Sequence, residues 1–405
     1  MLARGAASGR ATMTAALRSR RMAATAVEHE HRVTPRELFF DLVFVFAFTQ
    51  VATLLADDPT FAGIGRGVLV LAALWWAWAA YAWLTNTVDP EEGVVGAALL
   101  VALIAMFVAA LVVPEVFDDE GVLFGACFLV VCAMHLVLYA LAGRGNRDLL
   151  QAVLRLAPWT LLGATLILVA GFTDGARVWL WLAALACTYI GALLGGSTGW
   201  QVHPSHFAER YGLVLIIALG EAFISIGIGA TGIGIGPGEV AAAILGLLVA
   251  TSFWLAYFDF FSIRGERMLR DREGAERVAL ARDAYAYAHF PMIVGIVLFA
   301  FAMKTIVAHV GEELDTVAAF ALCGGSALYL LTYSAIRMRV ERRVRLSRGR
   351  FVAALALLLL LPLATMVPAL ATLALVTVVW LALHVYELVW WRDARSESRS
   401  MLAAP

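Results

Sequence analysis

The chain alternates between long apolar runs and short polar breaks. The runs are about 18 to 25 residues long, enough for a helix to cross a hydrocarbon core about 30 Å thick. They are continuously apolar, whereas the strands of a membrane barrel alternate apolar and polar residues. The pattern therefore predicts an all-α membrane protein with about twelve transmembrane helices. The predicted spans are residues 37–55, 66–86, 94–113, 121–142, 153–171, 178–196, 207–228, 239–263, 285–308, 316–336, 350–367 and 369–390.

The composition excludes a soluble globular protein. Hydrophobic residues make up 62% of the chain and charged residues 15%, while soluble domains carry about 25% charged residues. All four cysteines lie inside predicted spans, so neither a disulfide framework nor a thiolate metal site is predicted. His203 and His206 have no cysteine or acid at ligand spacing, and no glycine-rich loop is followed by a phosphate-binding lysine. We therefore expect no cofactor.

The positive charges predict the orientation of the helices. All but three of the 30 basic residues lie before the first span, after the last, or in alternate loops. The exceptions are Arg66, Arg177 and Lys304, and we expect Lys304 to reach the outer interface with its ammonium group. The positive-inside rule therefore places both termini in the cytosol. Residues 1–33 are predicted to be a disordered cytosolic arm and residues 393–405 a cytosolic tail. Anionic lipids are the expected partners of the arginine-rich loops, and no nucleic-acid partner is expected.

An internal repeat relates two halves of the chain. Residues 37–50 resemble residues 209–221 at an offset of 172, and a Trp-x-x-Tyr motif at 78–81 recurs at 254–257, an offset of 176. Six helices return the chain to the side on which it started, so the halves would be related by an axis along the membrane normal. The alternative is a bundle whose helices are alike only because they share membrane chemistry. The predicted halves are residues 34–196 and 197–392.

Several motifs of this chain resemble those of one known family. They are Thr34 to Val45, His203 to Gly212 continuing to Glu221, Trp75 to Asn86, Trp254-x-x-Tyr257-Phe258-Asp259, and Tyr287-x-His289-x-Pro291. Together they resemble the bacterial low temperature requirement protein A (LtrA) family. The resemblance implies a multi-pass protein of the bacterial inner membrane. The family name refers to growth in the cold and specifies no molecular activity.

Acidic residues near the start of the first span predict a polar vestibule at the cytosolic side. A charge at membrane depth costs at least ~2.5 kcal/mol, so such groups face the protein interior and often mark a pathway. Glu37 and Asp41 are four residues apart and share one helix face. Ion pairing with Arg36 or Arg210 is the structural alternative. The other predicted members are Asn86, Glu209, Arg210, Asp259 and His289, with helix-end hydrogen bonding, or for Asp259 a pair with Arg264, as the alternative.

Glu221 is the strongest single candidate for a functional residue. It lies some fourteen residues into its span, so it is about 20 Å from the cytosolic face. The repeat places Thr49 and Gln50 opposite it, and we expect Glu221 and Gln50 to lie near a central site. The alternative is a protonated Glu221 that makes a structural hydrogen bond between helices.

These features favour a secondary transporter or proton-coupled permease for a small solute, rather than an enzyme. The six-plus-six layout and the acids on corresponding helices motivate this hypothesis. One alternative is a membrane enzyme acting on lipid or a lipid-linked substrate, with the cytosolic carboxylates and His289 as acid and base. The other is a non-catalytic membrane component of a stress response.

Overall fold

The structure is a computed structural model that describes residues 32–91, 93–232, 234–259, 261–341 and 348–390. The predicted tail and all of the predicted arm except Arg32 and Val33 lie outside these residues.

The described residues form an all-α bundle, as predicted. Eleven of its helices are long and apolar enough to cross a membrane. They are α1 (Pro35–Asp57), α2 (Phe61–Thr85), α3 (Gly93–Leu111), α4 (Gly121–Ala142), α5 (Arg147–Gly171), α6 (Arg177–Leu194), α7 (Pro204–Gly229), α8 (Pro237–Phe258), α10 (Gly274–Ala308), α11 (Thr316–Arg339) and α14 (Ala369–Trp390). The shorter helices are α9 (Phe261–Arg270), α12 (Arg348–Leu359) and α13 (Leu361–Ala364).

The predicted span 350–367 is divided into two helices. α12 ends at Leu359, and α13 begins at Leu361 with Pro362 in its first turn. Proline has no backbone N–H and clashes with the preceding turn, so a helix that reaches it from the N-terminal side breaks there. The remaining apolar runs each form one long helix, and α9 adds a short helix in the arginine-rich segment before α10.

The helices α1 and α7 begin on the same side of the bundle, called side A below. The Thr34 side chain accepts a hydrogen bond from the backbone of Glu37, and the Glu37 carboxylate accepts one from the backbone N–H of Thr34 at 2.9 Å. This capping box, followed by Pro35, fixes the start of α1. Contacts between α1 and α7 keep a nearly constant residue offset, from 169 at Glu37 to 172 at Thr49. The two helices therefore run parallel.

The helix α10 is central and almost wholly buried, and it packs closely against α7 and α11. A Cβ atom on Gly229 of α7 would lie 2.6 Å from the carbonyl oxygen of Lys304. A Cβ on Gly295 would lie 2.6 Å from the carbonyl oxygen of Gly325 in α11. Glycine lets helix backbones approach closely in a membrane, where van der Waals packing is a main source of association. These positions therefore set the distances between α10 and its neighbours.

Gly229→Ala is expected to destabilise the bundle by about 1–3 kcal/mol, the usual cost of overpacking, because backbone atoms must move to admit the methyl group. Gly227→Ala is the matched control on the same helix, since a Cβ there meets nothing within 4 Å. Thermal unfolding of the purified protein in detergent measures both. Equal melting temperatures for the two variants would contradict the packing of α7 on α10 described here.

Candidate functional site

A group of ionisable side chains is buried between α1 and α7 near side A. Glu37 and Asp41 on α1 face His206 and Arg210 on α7, and each pair is spaced four residues apart. His206 Nε2 lies 3.0 Å from Glu37 Oε1, and Arg210 Nη2 donates to Asp41 Oδ1 at 3.0 Å. Each of the four residues is at most 2% exposed. We call these four side chains the charge network.

Trp78 of α2 and Asn86, the residue after its last turn, also contact the charge network. Trp78 Nε1 donates to Asp41 Oδ1 at 2.9 Å. Asn86, which follows the end of α2, accepts from the backbone N–H of His203 through Oδ1 at 2.6 Å. Its Nδ2 then lies 3.0 Å from His206 Nδ1 and donates to it. In neutral His206 the proton is therefore on Nε2, where it is donated to Glu37.

The charge network is incompletely neutralised and incompletely hydrogen-bonded. With both carboxylates ionised and His206 neutral, the single guanidinium leaves one negative charge, so neutrality requires one titratable proton. Among the described residues, Asp41 Oδ2 has no hydrogen-bond partner, and neither has Nε or Nη1 of Arg210. Arg210 Nη1 lies 3.6 Å from Glu37 Oε1. Buried charges that lack partners are costly, so the arrangement is one that can bind a proton, a water molecule or a small ion.

A second polar site surrounds Glu221, farther along the same two helices. Glu221 is 1% exposed. Thr49 Oγ1 of α1 donates to its Oε2 at 2.5 Å, and Ser225 Oγ of α7 donates to its Oε1 at 2.9 Å. We call these three residues the central site.

Gln50 does not contact Glu221 and instead turns away from α7. Its side-chain amide nitrogen, Nε2, donates to the carbonyl oxygen of Leu111 at 3.5 Å. Successive residues of a helix point about 100° apart, so only one of Thr49 and Gln50 can face α7. The prediction of Gln50 as a member of this site is corrected, and Thr49 takes that position.

The positions at which α1 faces α7 between the charge network and the central site are apolar and buried. On α1 they include Phe44 and Phe48, and on α7 Val214 and Ala218. Eight residues separate Asp41 from Thr49, a distance of about 12 Å along the helix. The two polar sites are therefore separated by a dry segment.

The other predicted vestibule residues have different surroundings. Glu209 is exposed and accepts from the backbone N–H of Val33 at 3.3 Å. Asp259 is half-buried where α8 ends. His289 is fully buried, with Nδ1 at 2.8 Å from the carbonyl oxygen of Ala284 and Nε2 at 3.0 Å from the Tyr257 hydroxyl. Its ring packs in an aromatic cluster, so its position is not that of an exposed titrating group.

The structure thus joins four of the predicted residues and adds one that was not predicted. Glu37, Asp41, Asn86 and Arg210 meet at side A. His206 was missed, although its spacing to Arg210 repeats the spacing of Glu37 to Asp41 and could have revealed it. Of the two alternative ion-pair partners of the acids, Arg36 pairs at the surface with Glu91 at 3.4 Å, whereas Arg210 pairs with Asp41 at 3.0 Å.

Arg210→Gln is expected to destabilise the protein by about 3–5 kcal/mol, the cost of leaving a buried charge without its partner. Arg66→Gln is the control, because Arg66 pairs with Asp58 where both side chains are partly exposed, and loss of such a pair costs about 0–1 kcal/mol. Unfolding in mixed detergent micelles gives both free energies. A loss below 1 kcal/mol for Arg210→Gln would contradict a buried network.

Comparison with known proteins identifies the family of this chain. A family model described as bacterial low temperature requirement A protein (LtrA) matches residues 32–385. An uncharacterised protein of Rhizobium meliloti (strain 1021) is 30% identical over 306 residues, which cover 73% of this chain and 74% of the relative. No solved structure matches the chain significantly.

The family match covers every helix of the described fold except the last few residues of α14, and it includes both polar sites. This multi-pass helical membrane protein therefore belongs to the bacterial low temperature requirement A (LtrA) family.

Proposed function

We propose that this protein is a proton-coupled permease for a small solute rather than an enzyme. One observation carries the proposal: two buried sites, each with an acid, lie at different depths on the same pair of parallel helices. Ionisable groups at membrane depth are costly and commonly mark ion or substrate pathways. The charge network near side A and the central site at Glu221 are such groups.

The distance between the sites supports a pathway that is closed in this conformation. Arg210 and Glu221 are eleven residues apart on α7, or about 16 Å along the helix, which is about half of a hydrocarbon core about 30 Å thick. The apolar segment with Phe44 and Phe48 separates the sites. A proton or solute that moves between them requires α1 and α7 to repack, which is the kind of rearrangement that alternating access uses.

The chemistry of each site matches a step of proton coupling. The charge network is neutral only when it holds one titratable proton, so its occupancy changes the charge buried between α1 and α7. At the central site, Thr49 and Ser225 both donate to the Glu221 carboxylate. A protonated Glu221 would instead donate one of these hydrogen bonds, so proton binding changes the contact between α1 and α7 and favours a different arrangement of these helices.

The burial of His289 argues against the lipid-enzyme alternative. That hypothesis assigned His289 as acid or base, yet both of its ring nitrogens are hydrogen-bonded within a fully buried aromatic cluster. A group in that position cannot reach a lipid headgroup without unpacking the core. The polar groups of the two sites lie instead between helices, where a small solute or a proton fits better.

The proposed location is the bacterial inner membrane, with both termini in the cytosol. Arg32 and Arg36 at the start of α1, and the arginines of α9 before α10, lie on side A, where α1 and α7 begin. Basic loops remain on the cytosolic side of a membrane and contact anionic lipids there. We therefore infer that side A faces the cytosol and that the charge network is the cytosolic end of the pathway.

A green fluorescent protein fused after Pro405 is expected to fluoresce, because that fluorophore matures in the cytosol. A periplasmic alkaline phosphatase at the same position is expected to be inactive. The α3–α4 connection, which follows Leu111 and precedes Gly121, is the internal control, and phosphatase inserted there is expected to be active. The reverse pattern would overturn the orientation.

Glu221→Gln is expected to abolish coupled transport while the fold is retained, since glutamine preserves the shape of the side chain and can still hydrogen-bond to Thr49 and Ser225. Proteoliposomes that contain a pH-sensitive dye are supplied with a panel of amino acids and carboxylates, and solute-dependent proton movement is recorded. A decrease of at least tenfold is expected. Glu91→Gln, at a half-exposed surface pair, is the matched control and is expected to retain wild-type flux.

Two results would contradict the proposal. One is proton movement in Glu221→Gln equal to that of the wild type. The other is absence of solute-dependent flux in the wild type across the whole panel, when thermal unfolding shows that the reconstituted protein is folded.

A further inference from the structure

A cavity lined by aromatic residues lies on the opposite face of α2 from the charge network. Its walls come from α2, α4, α5, α6 and α10 and include Trp76, Trp83, Tyr139, Trp200 and Tyr287. Its volume is about 80 Å³, while one water molecule needs about 10–15 Å³ by the same measure. The cavity can therefore hold a ring-sized molecule.

The aromatic rings form two walls that suit a flat apolar group. Trp200 packs edge-to-face against Trp83, with ring centroids 6.3 Å apart, and against Tyr139 at 5.2 Å. Trp76 and Tyr287 contact each other edge-to-face at 6.2 Å. Rings fixed in this way expose π-faces and edges to the cavity, and aromatic ligands gain specific contacts from both.

Two polar side chains in the cavity wall do not present their polar atoms to the cavity. His135 is 4% exposed and Tyr139 is 1% exposed. Both ring nitrogens of His135 and the hydroxyl oxygen of Tyr139 are almost completely buried. A ligand in the cavity therefore contacts the rings of these residues and not their polar atoms.

The remaining polar groups at the cavity carry a net positive charge. Arg282 lines it and donates to Asp283 Oδ1 at 3.0 Å, but Arg339 donates to Oδ2 of the same carboxylate at 3.1 Å. Two guanidinium groups thus share one acid. Arg155 donates to the carbonyl oxygen of Gly195, another lining residue, and to Thr198, and it contacts no carboxylate among the described residues. An anionic group is therefore attracted to this cavity and a cation is repelled.

We infer that this cavity binds a small aromatic carboxylate. The ring packs among Trp76, Trp83 and Trp200, and the carboxylate pairs with Arg282. This binding site goes beyond the proposed transport activity, because it would exist whether or not the protein moves protons. Its position one helix away from the charge network makes such a molecule a candidate solute for the permease.

The test is equilibrium binding of radiolabelled benzoate to the purified full-length protein in detergent. Saturable binding is expected. Benzamide and benzylamine, which have the same ring with a neutral and a cationic group, are expected to compete at least tenfold more weakly. Binding of benzylamine that equals or exceeds that of benzoate would overturn the assignment of an anion site.

Substitutions of lining residues test whether benzoate binds in this cavity. Trp83→Ala and Arg282→Gln are each expected to weaken benzoate binding about tenfold, through lost stacking and lost charge respectively. Trp179→Ala and Arg270→Gln are the controls, since Trp179 is 72% exposed and Arg270 forms a surface pair with Glu266.

A cavity-filling variant tests the benzoate site even if Trp83→Ala does not fold. Ala192→Leu adds three carbons to a lining position that is partly exposed, and it is expected to abolish benzoate binding with little change in melting temperature. Unaltered binding in a folded Ala192→Leu protein, or no saturable binding by the wild type, would overturn the inference. Either result would leave the Glu221 transport test unaffected.

Discussion

The parallel contact of α1 with α7 depends on a guanidinium group that has no access to water. Arg210 is 1% exposed, and its carboxylate partners Asp41 and Glu37 are buried with it. An unpaired charge in this position would cost several kcal/mol, so α1, α7 and the end of α2 must stay in one relative arrangement. That arrangement also aligns Thr49 with Glu221 farther along, and it exposes the other face of α2 to the aromatic cavity. The charge network therefore determines the geometry of both polar sites.

The sequence predicts the helices well because each must bury its backbone polar groups internally and needs a minimum length to cross the bilayer. The predicted run 207–228 is observed as Pro204–Gly229, for example. Hydropathy does not detect the break before Pro362, since α12 and α13 are both apolar. It also does not show which helices are neighbours, and for this reason the cavity between α2, α4 and α10 was not predicted.

The charge network was predicted in part, and the errors have a common cause. The repeat aligned Glu37 with Glu209, but the residue that faces Glu37 is His206, three positions earlier and almost one helical turn away. Internal similarity relates equivalent positions, whereas contact depends on helix rotation and on the closest line between two axes. At the central site the repeat placed both Thr49 and Gln50 opposite Glu221, and helix rotation decides between them: Thr49 contacts Glu221 and Gln50 does not. The division into two halves remains a prediction.

The most direct test of the charge network is a double-mutant cycle between α1 and α7. Asp41→Asn and Arg210→Gln are made singly and together, and the free energy of unfolding of each protein is measured in mixed micelles. If the two residues form a buried ion pair, the double variant should lose less unfolding free energy than the two single variants lose together. The expected difference is about 2 kcal/mol or more, within the range seen for directly contacting charges. Additive losses would show that Asp41 and Arg210 do not interact and would contradict the proposed charge network.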